Sequence, residues 1–233
     1  MNKSISTPRR LTLTGFFMLA VISSAFGQIV TVPAGLTLGE QYRLVFVTDG
    51  TTTATSTNIA TYNTFVTNEA NTTPALVALE TTWTAIGSTS STTAISNTGT
   101  FGFGPSVPIF GLNGTEVAAT YTQLWSGTLG SDISISQGGN YLGGSAVWTG
   151  TTPYGERYDS GMAALGGGSG QTGYGGAGYV TSQWSLWSTA VHANSNHLYA
   201  LSGVLTVAPE PGSAVLLGLG VGALLGWRRR RSV

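Results

Sequence analysis

Gln41-Tyr42-Arg43-Leu44-Val45-Phe46-Val47-Thr48 is the stretch from which the rest of this chain is read. β-branched and aromatic residues dominate it, Arg43 is its single charge, and Asp49-Gly50 closes it with turn chemistry. A short apolar run bounded in this way predicts a central strand. Thr51 to Thr57, almost all Ser and Thr, reads as a solvated loop. From Asn58 the period changes. Ile59, Tyr62, Phe65 and Val66 recur at spacings of three and four, predicting a helix over 58–70 with Asn58 as its N-cap. A second helical stretch is expected from Pro74 to Leu79, strand character over Thr82 to Ile86, and a polar loop from Ser88 to Thr100.

Farther from the opening strand the elements shorten. Val107 to Leu112 reads as a strand and Asn113-Gly114 as a turn; Val117 to Trp125 places Tyr121, Leu124 and Trp125 at helical spacing. Ile133 and Ile135 alternate with serines before a Gly138-Gly139 turn, and Ala146 to Gly150 reads as a strand end. Gly161 to Gly178 is glycine-rich with almost no large aliphatic side chain, which predicts a long surface loop. Leu198 to Val207 reads as a long closing strand.

Composition narrows the function classes. Charged residues make up only 8% of 233, and cysteine is absent, which removes disulfides, thiol catalysis and Cys-containing zinc sites. The zero net charge hides a segregation. Between Gln28 and Ala208 stand two basic residues (Arg43, Arg157) against eight acidic ones: Glu40, Asp49, Glu69, Glu80, Glu116, Asp132, Glu156 and Asp159. A lysine-free, acidic body cannot neutralise a phosphate backbone, so nucleic acid is not an expected partner.

The cations collect at the two ends. Met1 to Arg10 is a basic stretch, Leu11 to about Ala25 is apolar, and Ala25-Phe26-Gly27 before Gln28 gives signal peptidase the two small side chains its pocket requires. Residues 1–27 are therefore expected to be a signal peptide, cleaved between Gly27 and Gln28. At the other end, Pro209-Glu210-Pro211 is followed by sixteen uncharged residues, 212–227, and then by Arg228, Arg229, Arg230 and Arg231. As a helix that run covers about 24 Å against a hydrocarbon core of about 30 Å, which predicts a short transmembrane helix. The arginines place everything before it outside the cytoplasm.

The order Pro-Glu-Pro, short glycine-bearing apolar run and arginine cluster resembles the PEP-CTERM sorting signal. Proteins carrying that signal are exported by Gram-negative bacteria that also make exopolysaccharide. The resemblance implies that a membrane protease, exosortase, recognises the tripeptide and removes the tail at 208–233, by the logic of a GPI signal. It implies a chain held transiently or permanently at the inner membrane, and then at the cell surface or in the extracellular matrix. It addresses only the tail.

The body carries a second resemblance. Val107-Pro-Ile, Tyr121-x-x-Leu-Trp-Ser-Gly127, Val147-Trp-Thr-Gly150, Pro153-x-Gly155-x-Arg157 and a closing Leu-Tyr-Ala strand occur in an order similar to the endostatin domain of collagen. Endostatin is a variant of the C-type lectin-like fold. The resemblance implies an α+β domain over 28–207, built of short antiparallel strands, two helices and long Gly/Ser/Thr loops. It further implies that Gln41 to Thr48 pairs with Leu198 to Val207, with Trp125 and Trp148 as packing residues. Endostatin's disulfide cysteines, N-terminal zinc histidines and arginine-rich heparin surface have no counterpart here, so its ligands are not carried over.

Little in the body suggests catalysis. His192 and His197 fall in a polar stretch, at a spacing that suits neither a helix face nor one face of a strand, so no catalytic residue is assigned. Glu156 and Asp159 offer a few oxygen ligands for a cation, too few for a Ca²⁺ site, and no cofactor is expected. Tyr154, Tyr158, Tyr174 and Tyr179 lie in and around the glycine-rich segment, where aromatic rings can stack on sugars; Trp184 and Trp187 are expected to close the core. The chain thus reads as an exported, non-enzymatic surface or matrix protein. The alternative is a carbohydrate-binding module meeting exopolysaccharide.

Overall fold

The opening strand forms as its pattern requires. In the computed structural model, which describes residues 28–208, β1 (Gln41–Val47) is buried from Tyr42 onward. Strand alternation sends Leu44 and Phe46 to one face and Val45 and Val47 to the other. Both faces are covered, which is why the run is continuously apolar rather than alternating.

β2 (Thr52–Thr53) follows, then α1 (Ile59–Ala70), α2 (Pro74–Val77), β3 (Trp83–Ala85), α3 (Ala94–Thr98), β4 (Ile109–Gly111), β5 (Glu116–Ala118) and α4 (Tyr121–Leu124). Beyond them, among the described residues, only strands and short 3-10 turns remain: β6 (Ala146–Trp148), β7 (Gln171–Gly176), β8 (Ser188–Val191), β9 (Ser195–Ser202) and β10 (Leu205–Thr206). Asn58 caps α1 as its side chain predicts, its Oδ1 accepting from the Ala60 amide at 3.0 Å.

The strands form one sheet in the order β5-β4-β1-β9-β6-β7-β8, with β10 on β1 and with β2 and β3 on β9. β1 and β9 pair antiparallel, Val45 opposite Leu201 and Val47 opposite Tyr199, the pairing expected of the first and last long strands. One face packs Leu44, Phe46, Trp148, Leu198 and Ala200 under Tyr62, Val66 and Ala70 of α1. The other packs Val45, Val47, Val147 and Tyr199 under Tyr121, Leu124, Trp125 and Trp184.

This architecture corrects the expected fold class. The protein is not an α+β, endostatin-like domain of short antiparallel strands with two helices; it is mostly sheet, and the sheet is mixed. β1 runs parallel to β4, Arg43 opposite Ile109, and β6 runs parallel to β9, Val147 opposite His197. Among the described residues four α-helices, three of them only four or five residues long, serve as caps to the sheet. The similarity rested on tryptophan motifs, and Trp125 and Trp148 are indeed buried packing residues. A large indole fills a core in any topology, so such motifs do not specify one.

Smaller corrections follow from the same sheet. The region 161–178 is not a long surface loop, because β7 lies inside it, between β6 and β8. Ser88 to Thr100 contains α3, capped by the Thr93 hydroxyl. The helix expected over Val117 to Trp125 is divided, its first residues forming β5. Ala25 and Gly27, expected at a signal-peptidase site, Pro209, Glu210, Pro211 and Arg228 to Arg231, expected to form a sorting signal, and the expected transmembrane helix at 212–227 lie outside the described residues. Among the described residues no helix is long and apolar enough to cross a membrane.

Candidate functional site

β7 has the sequence Gln171-Thr-Gly-Tyr-Gly-Gly176, and its glycines determine what can lie against it. A Cβ at Gly175 would strike the Trp184 carbonyl, so the 3-10 turn at 182–184 can close on the sheet only over glycine. A Cβ at Gly173 would lie 3.0 Å from the Tyr158 ring and 3.0 Å from Leu186 on that same face. On the opposite face, a Cβ at Gly176 would lie 2.7 Å from the Tyr179 ring and 3.6 Å from Trp187. Here a strand of glycine brings rings down onto backbone.

The result is a chain of aromatic side chains running from core to solvent. Trp148, fully buried, meets Tyr174 edge-on at 6.1 Å between centroids; Tyr174 meets Trp187 at 6.2 Å, and Trp187 meets Tyr179 at 5.4 Å. The spacings and steep interplanar angles are those of favourable aromatic pairs. Trp187 is 49% exposed, whereas Tyr174 and Tyr179 are half-buried. Ser188, opposite Tyr174 in the ladder, is exposed beside them. No charged residue occurs from Ser160 to Ala208, so β7, β8 and β9 present an uncharged surface.

Of the four tyrosines expected to contact a ligand, the structure brings Tyr174 and Tyr179 together. Tyr158 packs against the other face of β7, and Tyr154, 65% exposed, stands apart on the 151–157 loop. Trp187 was expected in the core. It instead completes the surface group, while Trp184 alone closes the core, 5.8 Å from both Trp125 and Tyr199. The signal that could have found Trp187 is its position just before the edge strand β8, where Ser188 to Val191 alternates without a strong apolar face.

The fold engages some of the polar candidates and leaves others unpaired: His192, just after β8, is partly buried and its Nδ1 has no hydrogen-bond partner. His197 lies within β9, not in a solvated loop, and its Nδ1 donates to the Thr48 carbonyl at 2.7 Å. Glu69 accepts from the Gly50 amide at 2.8 Å and from Gln137 Nε2 at 2.7 Å, while Asp49 accepts from Asn140 Nδ2 at 3.0 Å. These bonds tie loops at the end of β1. Glu156 and Asp159 are both exposed, and among the described residues no group of three His, Cys, Asp or Glu side chains is placed to hold a metal ion.

No protein-family model matches the chain. No curated protein matches it either.

Proposed function

We propose that this chain is an exported, non-enzymatic protein of the cell surface or extracellular matrix, delivered through a C-terminal sorting tail that exosortase recognises. The observation that carries the reading is the order of three parts at 209–231: Pro-Glu-Pro, sixteen uncharged residues and four arginines. Support comes also from the body, where Glu69, Asp49 and His197 are engaged in holding loops rather than converging on a cleft. Mass spectrometry of the termini in protein recovered from outside the cell tests it. A chain beginning at Gln28 and ending near Pro209 is expected; a secreted chain that retains Met1, or one that never leaves the cytoplasm, would refute the reading.

A second reading is favoured by the aromatic group. An exposed indole beside two half-buried phenol rings, on an uncharged surface with hydroxyls at its edge, fits the apolar face of a neutral sugar ring. In this reading the domain holds exopolysaccharide by stacking. Pull-down on purified exopolysaccharide should be lost in Trp187→Ala and weakened in Tyr179→Ala, with little change in stability because Trp187 is half exposed. Equal retention of the wild type and both variants would leave this surface without a role in binding.

A further inference from the structure

The two ends of the sheet differ. β10 brings the chain back to the start of β1, Gln41 opposite Thr206, so Ala208 emerges at that end. β4 runs parallel to β1, with Arg43 opposite Ile109, and the loop 99–107 that enters β4 therefore lies at this end too. Trp148, Tyr174 and Ser188 form one row of register partners that meets β9 at Leu198. The Leu198 carbonyl accepts the Thr48 amide, so this row lies at the far end of β1. Seven strand residues separate the two levels, roughly 20 Å.

The end where the chain emerges is apolar and exposed. Phe103 is 82% exposed and stands 5.8 Å from Phe101, which is also exposed. Leu38 and Val204 are exposed around the emerging chain, and a hollow of about 450 Å³ lined by Val32, Leu79, Val204 and Ala208 opens beside them. Two phenyl rings at a loop tip, on a chain with so few charges, need an occupant. The charged side chains at this end are the exposed carboxylates Glu40 and Glu80 and the buried Arg43.

We infer that this end rests on a lipid bilayer, with Phe101 and Phe103 entering the headgroup boundary of an uncharged membrane surface. The inference rests on the tail reading for what brings the domain there: twenty-five residues follow Ala208, sixteen of them an uncharged run before the arginines. Phenyl rings favour the interface. Carboxylates without an exposed cation exclude an electrostatic attraction to anionic lipid, so the contact is apolar and insensitive to salt. The aromatic end then points away from the membrane.

The absence of cysteine allows a direct test on the full chain in phosphatidylcholine vesicles. Pro105→Cys and Ser188→Cys each place one environment-sensitive dye at an exposed position near either end while keeping the rings. The expected result is flotation with vesicles, a several-fold rise in emission at position 105 with quenching by a lipid-phase quencher, and neither change at 188. Adding Phe101→Ser and Phe103→Ser should abolish the quenching at 105. Flotation with position 105 still in water, or with 188 quenched instead, overturns the inference and leaves the tail reading standing. A rise at 105 that lipid quenchers do not touch shows contact with a second copy of the chain there and also overturns it. Failure to float refutes both.

Discussion

Arg43 donates its Nε to the Ser202 carbonyl at 2.6 Å, and the Ser202 hydroxyl accepts the Leu44 amide at 2.9 Å. Residues 159 apart in sequence thus lock the first long strand to the last. Arg43 also donates Nη1 to the Thr98 carbonyl at 2.9 Å, and its guanidinium lies 5.7 Å from the centre of the Tyr121 ring. Burial lowers its pKa from the usual arginine value, and carbonyls and a ring, not a carboxylate, compensate the charge. An ammonium cannot reach both carbonyls with the same fork, so Arg43→Lys should cost about 1–3 kcal/mol. Ser202→Ala, which orphans the Leu44 amide, should cost a similar ~1–3 kcal/mol. Urea denaturation measures both, and wild-type midpoints in both variants would contradict this account.

Stability should fall at alkaline pH. Burial pushes the Tyr62 phenol from 10.0 up to about 12, and burial likewise raises Tyr42 and Tyr199. A group whose folded pKa is raised contributes stability that is complete below its unfolded value and lost as pH climbs through the folded one. For Tyr62 that window runs from 10.0 to about 12. Urea midpoints should decline across it, with a phenolate titration in which these three rings ionise at higher pH in the folded chain than in the unfolded one. Tyr62→Phe should flatten part of the decline. A midpoint constant through the window would be incompatible with the burial described.

Gly175→Ala should be the most damaging single-methyl change in the glycine strand. The added carbon meets the backbone carbonyl of Trp184, which cannot swing aside as a side chain would. The expected cost is about 3 kcal/mol or more. Gly102→Ala, whose nearest neighbour would be the Thr122 hydroxyl at 3.4 Å, should stay within about 0.5 kcal/mol of wild type. Paired thermal melts decide it, and equal Tm values would dismiss the claim.

Glu80 holds φ at 47°, the left-handed region, just beyond α2. The strain for an L residue there is about 1–2 kcal/mol, and a glycine avoids it while adding about 0.5–1 kcal/mol of unfolded-chain entropy. Glu80→Gly should therefore stabilise by up to ~1 kcal/mol, a rise in Tm of about 2–4 °C. A lower Tm would mean that the carboxylate has a role its position does not reveal.

The sequence was most legible where local pattern and burial agree. Tyr42 to Val47 is apolar because both faces are covered, and Asn58 precedes the 3.6-residue period of α1 and caps it. It was least legible at β7. A run such as Gly173-Tyr-Gly-Gly176 carries no periodic apolar signal, because its value lies in side chains it lacks. What closes over it comes from Tyr158, Tyr179, Trp184 and Trp187, which sit up to fifteen residues away or are separated by turns. The parallel pairings were equally hidden, since no pattern within β4 or β6 records the direction of its neighbour.

Composition by itself determined that no disulfide or thiol chemistry operates in this sequence, and the apolar run at 41–48 by itself marked β1 as a central strand. Those properties depend on residue counts and on interactions within a few positions. Only the tertiary structure decided that the sheet is mixed, that Trp187 joins Tyr174 and Tyr179 at the surface, and that Phe101 and Phe103 share an end with the emerging chain. Strand order and ring contacts are set by packing between distant segments, whose free energy no single segment encodes.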